Sequence, residues 1–226
     1  MIYVEKSQPA PESLAAEKAK KRGSYLCRDV LERLEADFKG KCYLCESKEL
    51  TSINVEHLVP HRGDQDLKFD WNNMLFSCSH CNNTKLDKYL NLLNCTVQAD
   101  RVETRIHYRM EPFPKERVQV VAQDSDPRTI ETRDLLDAVY NGTTTLKRME
   151  SAALRNMLLR EIQAFHGLVS KYGEAEEADY RNELRARIES ALDSGAAFAA
   201  FKRWIVRGHE WLIDEFGEFV DRVETG

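Results

Sequence analysis

The sequence predicts an α+β protein that is mostly helical, with a small cysteine-containing module of two strands and a helix. Two CxxC pairs enclose a short β-branched run, which indicates the module. Apolar residues recur at helical spacing before the module and again beyond Asp126. A chain of 226 residues can bury one good core, or such a module beside a helical domain. We therefore predict an N-terminal segment with a helix at 1–38, the module at 39–95 and a larger, mainly helical domain at 96–226.

The N-terminal segment opens with a Pro- and Lys-rich stretch that we expect to be extended. From Pro11 to Phe38 a helical pattern follows, and Gly40 is a suitable residue to end it. The apolar face of this predicted helix consists of Leu26, Val30, Leu31, Leu34 and Phe38.

Within the module, the character of the sequence changes from Lys41, where the first cysteine pair follows. A β-branched run at Thr51–Val55, a Gly/Asp loop at Gly63–Asp66 and an apolar stretch at Phe69–Phe76 then lead to the second pair. This order predicts a β-hairpin followed by a helix.

Beyond the module, apolar and polar residues alternate at Arg105–Tyr108 and Val118–Val121, which indicates either a second hairpin or an ordered crossover. Pro112 and Pro114 exclude a helix between these two segments. Four helices are predicted after that, at Thr129–Tyr140, Leu146–Lys171, Glu174–Leu192 and Ala196–Val223.

The net charge of -5 is unusual for a protein that binds nucleic acid by itself. Residues 1–38 and 39–89 each carry seven basic and seven acidic side chains, whereas residues 90–226 carry nineteen against twenty-four. A neutral module on an acidic body predicts weak affinity for bulk duplex DNA, so we expect another chain to assist substrate capture.

No apolar run is long enough to span a bilayer, and the first residues lack the apolar core of a secretory signal. We therefore expect a cytoplasmic protein without a membrane partner. Cytosolic thiols stay reduced, so the six cysteines are not expected to form disulfides.

Four of these cysteines form the two CxxC pairs, Cys42 with Cys45 and Cys78 with Cys81. Two such pairs supply the four thiolates of a tetrahedral structural zinc site, and filling all four positions leaves that zinc no catalytic role. Cys27 and Cys95 stand alone, which is typical of small buried apolar residues.

Three short segments lie between and after the cysteine pairs, and they read VEHLVP (55–60), WNNML (71–75) and CSHCNNTK (78–85). Over roughly residues 40–90 the chain resembles the HNH, or ββα-metal, nucleases, whose three elements occur in this order. The resemblance implies a metal-dependent endonuclease that hydrolyses nucleic-acid phosphodiester bonds.

The resemblance also assigns roles to single positions. His57 matches the general base, and a neutral imidazole can accept a proton from the attacking water. Glu56 matches an acidic metal ligand, although on an alternating strand it could instead face solvent. Asn73 matches the residue that fixes the loop around the general base, with Asn72 as the competing choice.

Asn82 matches the last position of the motif and would complete the metal shell. With Glu56 it gives only oxygen ligands, which favours Mg²⁺ or Mn²⁺ at this centre. Lys85, three residues later on the same helical face, could stabilise charge on the scissile phosphate, or be a solvated helix charge. No role is assigned to the remaining histidines, which are His61, His80, His107, His166 and His209.

Segments along the whole chain read MIYVEKSQPAP (1–11), EHLVPH (56–61), DWNNMLFSCSHCNNTK (70–85), DPRTIETRDLL (126–136) and FKRWIVRGHEWL (201–212). In this layout the chain also resembles the PtuB-like HNH component of Septu anti-phage defence systems. That resemblance implies an ABC-type ATPase partner and a defence role. The nucleic-acid substrate is left open between DNA and RNA by the sequence, and we expect DNA. The chain has no Walker motif of its own, so nucleotide dependence would come from another chain. The alternatives are a zinc-stapled nucleic-acid-binding or adaptor protein with an inactive centre, and a free-standing restriction or homing nuclease, which would need a basic surface.

Overall fold

A computed structural model describes residues 1–48, 50 and 52–220. It is an α+β fold dominated by helices, as predicted, with two separate antiparallel two-stranded sheets. The strands of the described ranges are β1 (Ile53–His57), β2 (Met74–Cys78), β3 (Ile106–Glu111) and β4 (Arg117–Ala122). The helices are α1 (Glu12–Lys18), α2 (Arg28–Asp37), α3 (Gln65–Phe69), α4 (Ser79–Lys85), α5 (Val102–Arg105), α6 (Pro127–Asn141), α7 (Thr145–Glu174), α8 (Ala178–Leu192), α9 (Ala199–Arg207) and α10 (Glu210–Phe216).

The module is the predicted hairpin followed by a helix. Strands β1 and β2 are antiparallel, with Ile53 opposite Cys78 and His57 opposite Met74, and α4 follows β2 directly. The second strand is shorter than the stretch predicted for it, because the residues before Met74 form α3 and a 3-10 turn. Thr51, the predicted first residue of β1, lies outside the described residues. The chain between the two strands is therefore an ordered loop that carries its own short helix.

The single helix predicted from Pro11 to Phe38 is wrong, because α1 ends at Lys18 and α2 begins at Arg28. Between them the backbone turns closely over α1: a Cβ atom added at Gly23 would lie 1.8 Å from the carbonyl oxygen of Glu17. Leu26, predicted on the apolar face, is 55% exposed. A glycine that permits close backbone approach has overridden the apolar periodicity.

The second hairpin is the alternative that the structure adopts, with Ile106 opposite Ala122. Helices α6, α7 and α8 match their predictions to within a few residues. The last predicted helix, Ala196–Val223, is wrong: α9 and α10 are separate, since Gly208 follows α9 and His209 is extended. The predicted end at Val223 lies outside the described residues.

One apolar core connects the module to the rest of the chain. It extends from Ile2 through Phe76 of the module to Leu135 and Phe201 of the helical part. A second, smaller core at the far end of α7 and α8 contains Tyr172, Leu184, Ile188, Leu212 and Phe216. The module is therefore supported by helices far away in the sequence. Among the helices of the described residues, none combines the length and apolar character needed to cross a membrane.

Candidate functional site

The four cysteines of the CxxC pairs converge on one point. Their sulfur atoms all lie within 4.8 Å of one another, and the Sγ atoms of Cys45 and Cys78 are 3.9 Å apart. A tetrahedral zinc with bonds of about 2.3 Å requires S···S distances of about 3.8 Å, so the cluster has the dimensions of a Zn(Cys)₄ site. Burial is the main cause that raises the pKa of Cys81, and hydrogen bonds with the other three cysteines raise it further. Several negatively charged thiolates can lie this close together in a buried site only if a cation neutralises them. The cluster therefore fits structural zinc.

Cys27 and Cys95, predicted to stand apart, are not part of this cluster. Cys95 is fully buried and Cys27 is half-buried. Neither contributes to the metal site.

His57 ends strand β1 with its ring nearly buried. The side chain is 6% exposed, and its Nε2 atom lies 3.0 Å from the carbonyl oxygen of Lys68. A carbonyl oxygen can only accept a hydrogen bond, so Nε2 carries the proton and Nδ1 of the neutral ring is left with a free lone pair. Burial lowers the pKa of His57, with the Lys68 carbonyl opposing that shift. The arrangement gives a neutral imidazole with one nitrogen able to accept a proton.

Two further rings hold the His57 imidazole from the side. The Tyr25 ring packs edge-on at 4.8 Å between ring centroids, and the His61 ring lies at 4.9 Å. Tyr25 comes from the connection between α1 and α2, a long way before the module in the sequence. Sequence reasoning missed Tyr25, because no local pattern indicates that this connection returns to β1.

Asn73 closes the loop between the two strands of the module. Its Oδ1 atom accepts a hydrogen bond from the Val59 amide at 2.8 Å, and its Nδ2 atom donates to the carbonyl oxygens of Val59 at 2.9 Å and Leu67 at 3.1 Å. Asn72, the competing candidate, is exposed and accepts a hydrogen bond from the Gln8 side chain. Since the same loop supplies the carbonyl that orients His57, Asn73 positions that ring indirectly.

Glu56 points into the protein rather than to solvent. The residue is 5% exposed, and its Oε1 atom accepts a hydrogen bond from Lys85 Nζ at 2.9 Å. Its Oε2 atom is buried without a hydrogen-bond partner among the described residues. Burial raises the pKa of Glu56, and the charge of Lys85 opposes that shift. An orphaned carboxylate oxygen is the kind of atom that a hard cation binds, so Glu56 fits the predicted role of a metal ligand.

Lys85 is fully buried, at 0% exposure, and is not a solvated helix charge. Besides Glu56, its ammonium group donates to the carbonyl oxygen of His57 at 2.9 Å. A lysine that contacts both Glu56 and the backbone of His57 ties α4 to the end of β1. In this arrangement its charge is directed at the carboxylate.

Asn82 lies in α4, one turn before Lys85, and is half-buried. Residues three apart share a helix face, so Asn82 lies on the same face of α4 as Lys85, the residue that contacts Glu56. The side chain of His80, in the same helix, is directed towards α6 and α7. Its Nδ1 atom lies 2.9 Å from Glu150 Oε2 and its Nε2 atom 2.8 Å from the Val139 carbonyl oxygen. His80 therefore joins the module to α6 and α7.

Comparison with known proteins agrees with this geometry. Residues 42–88 match the family model described as HNH endonuclease. No curated protein and no solved structure matches the chain significantly. The family match covers a minority of the chain, and together with the four-cysteine cluster it fits an HNH module with a structural zinc site.

Proposed function

We propose that the protein is a metal-dependent endonuclease that hydrolyses nucleic-acid phosphodiester bonds at the HNH module. The observation that carries the proposal is a neutral His57 imidazole and a buried Glu56 carboxylate at consecutive positions at the end of β1, inside the segment that matches the HNH endonuclease family. A general base and an anionic oxygen ligand next to one another are what metal-assisted phosphodiester hydrolysis requires.

In the proposed mechanism, Nδ1 of His57 accepts a proton from the water that attacks phosphorus. The Lys68 carbonyl holds the proton on Nε2, and Asn73 keeps the loop that carries this carbonyl in place. Glu56 and Asn82 would hold Mg²⁺ or Mn²⁺, which supplies stabilisation of negative charge on the phosphate oxygens. Lys85 keeps the Glu56 carboxylate charged and oriented within its buried surroundings.

Incubation of the purified chain with DNA and with RNA, in Mg²⁺ or Mn²⁺, tests the proposal. We expect cleavage with 5′-phosphate ends that the His57→Ala variant abolishes. His107→Ala is the matched control, since His107 is a half-buried histidine of the other sheet, in β3, and packs on Trp204 of α9. Cleavage that persists unchanged in His57→Ala refutes the mechanism.

We further propose that the substrate is DNA, that the protein acts in the cytoplasm and that it works with an ABC-type ATPase in anti-phage defence. The support is the resemblance of the whole chain to PtuB-like proteins, the absence of a Walker motif from the sequence, and cysteines that are all free thiols. Co-purification with the product of the neighbouring gene, followed by mass measurement of the complex, tests the partner. Cleavage that is the same with and without that protein and ATP contradicts it.

A further inference from the structure

We propose that the basic connector, residues 18–25 from the last residue of α1 towards α2, binds the phosphate backbone of the nucleic acid beside the bond to be cleaved. The inference rests on the proposed function, because it assigns a capture surface to the same site. Its starting point is that the connector packs against the module and brings Tyr25 to 4.8 Å from the His57 ring.

The connector is fixed in place by several contacts with the loop of the module. Lys18 Nζ lies 2.6 Å from Asp66 Oδ1, and Lys68 Nζ donates to the Gly23 carbonyl oxygen at 2.8 Å. Gly23 approaches the Glu17 backbone so closely that no side chain fits there. The connector therefore has a defined position next to His57.

The charge of the connector is entirely positive. Residues 18–25 contain four cationic side chains and no carboxylate. Two of these cations are paired, Lys18 with Asp66 and Lys20 with Glu17. Lys21 and Arg22 are exposed and form no ion pair with any described residue. Two consecutive cations outside these ion pairs therefore lie on a segment that is anchored by its contacts with the module.

The separation between Arg22 and Tyr25 along the chain limits how far the exposed cations lie from His57. Arg22 is three residues from Tyr25, so their Cα atoms are at most about 11 Å apart. The connector therefore keeps Arg22 within a length of about three axial nucleotide rises, at about 3.4 Å each, of the residue that packs on His57. The phosphates that Lys21 and Arg22 would contact are therefore ones close to the scissile bond.

This arrangement alters the expectation drawn from charge counting. Residues 1–38 are neutral overall, but the segment that packs against the candidate site through Tyr25 carries two exposed cations, Lys21 and Arg22, outside any ion pair among the described residues. The chain therefore has a nucleic-acid contact of its own. A partner would add to this contact instead of providing all of it.

The experiment measures the affinity of the full-length His57→Ala protein for a DNA duplex over a salt series, so that no cleavage interferes. Each phosphate contact contributes about 0.9 to the slope of log affinity against log salt. The Lys21→Ser/Arg22→Ser variant is expected to reduce the steepness of that slope by about 1.8. Lys115→Ser/Arg117→Ser is the matched control, because it removes two exposed cations from the β3–β4 hairpin and should leave the slope unchanged.

Zinc content and the melting curve establish that each variant is folded, and Lys21→Arg/Arg22→Lys should keep the wild-type slope. An unchanged slope in the serine variant, an equal loss in the control, or no salt-dependent binding by the parent protein overturns the proposal. Failure of the nuclease proposal is recognised separately, as absence of cleavage by the wild-type chain. If wild type cleaves, the serine variant should show a raised KM with kcat retained.

Discussion

The ammonium group of Lys85 lies 2.9 Å from the Glu56 carboxylate, and both residues are buried, at 0% and 5% exposure. Moving both charges out of water costs free energy, which their mutual attraction offsets. Removing one partner alone would leave the other as an uncompensated buried charge. The pair joins the last helix of the module to its first strand. It also determines where the free Glu56 oxygen points.

Breaking this pair from one side should destabilise the protein more than removing it altogether. We expect Lys85→Met and Glu56→Gln each to lower the free energy of unfolding by about 3–5 kcal/mol, because each leaves one uncompensated charge. The double variant should lose much less than the sum of the two. Urea unfolding of the four proteins measures this coupling, and additive losses would show that the two side chains act independently.

The pH dependence of cleavage should report the burial of His57. Only the neutral ring accepts a proton, so kcat/KM rises as His57 deprotonates. Because burial lowers its pKa, we expect the half-point of the acid limb to lie below the ordinary value of 6.5. A cation at Glu56 would shift the half-point in the same direction. A profile of kcat/KM against pH measures it.

The Tyr25→Ala variant provides the control for this profile. Tyr25 covers one side of the imidazole, so its removal admits water and should move the half-point up towards 6.5. A half-point above 6.5 in the wild-type enzyme would be inconsistent with a buried general base.

The loop that orients His57 should be sensitive to a change of a single atom in Asn73. In Asn73→Asp the amide that donates to Val59 and Leu67 becomes a carboxylate oxygen, which faces two carbonyl oxygens without a proton to offer. Misplacement of the loop by about 1 Å should lower kcat about 10²-fold. The matched Asn72→Asp variant changes an exposed neighbour and should retain near wild-type kcat, so equal losses in both variants would contradict the assignment.

These residues also show how far the sequence predicts the site. The cysteines could be named because zinc geometry imposes a local spacing that is visible in one segment, and His57 and Asn73 because that segment resembles the HNH nucleases. Tyr25 could not be predicted, since its proximity to His57 depends on the tertiary path of the connection after α1. The inward direction of Glu56 was equally hidden, because alternation along β1 does not indicate that a lysine of α4 lies behind it.

The helix boundaries follow the same division. The long amphipathic helices α6, α7 and α8 were predictable from periodicity alone. The breaks at Gly23 and Gly208 were not, because a glycine in a helical pattern costs only about 1 kcal/mol and packing decides whether it ends the helix.

Loss of zinc should unfold more than the module. The Tyr140 hydroxyl donates to the Cys45 carbonyl oxygen at 2.9 Å, and the amide of Phe198 donates to the Glu46 carbonyl oxygen at 3.1 Å. The turn that carries the first cysteine pair is therefore bonded to the helical part of the chain. Zinc binding contributes on the order of 10 kcal/mol in small zinc domains, comparable with the whole stability of a domain. Cys81→Ser, or chelation, should therefore abolish the cooperative melting transition of the chain.

Circular dichroism during heating, with zinc content measured in parallel, provides the test. Cys27→Ser is the control, since Cys27 is a half-buried thiol outside the cluster, and it should melt like wild type with zinc retained. A helical part that still melts at the wild-type temperature after zinc removal would show that the two parts are independent.

The identity of the residue at position 82 should set the metal preference of the reaction. Glu56 and Asn82 offer only oxygen atoms, which suit Mg²⁺ and Mn²⁺. An imidazole at this position favours ions such as Co²⁺ and Ni²⁺, so Asn82→His should raise cleavage with those ions relative to Mg²⁺. Asn83→His, at the exposed neighbouring position, is the matched control and should leave the ratio unchanged. The measurement is the ratio of initial rates in Co²⁺ and in Mg²⁺ for the three proteins, and an equal ratio in all of them would exclude residue 82 from the metal shell.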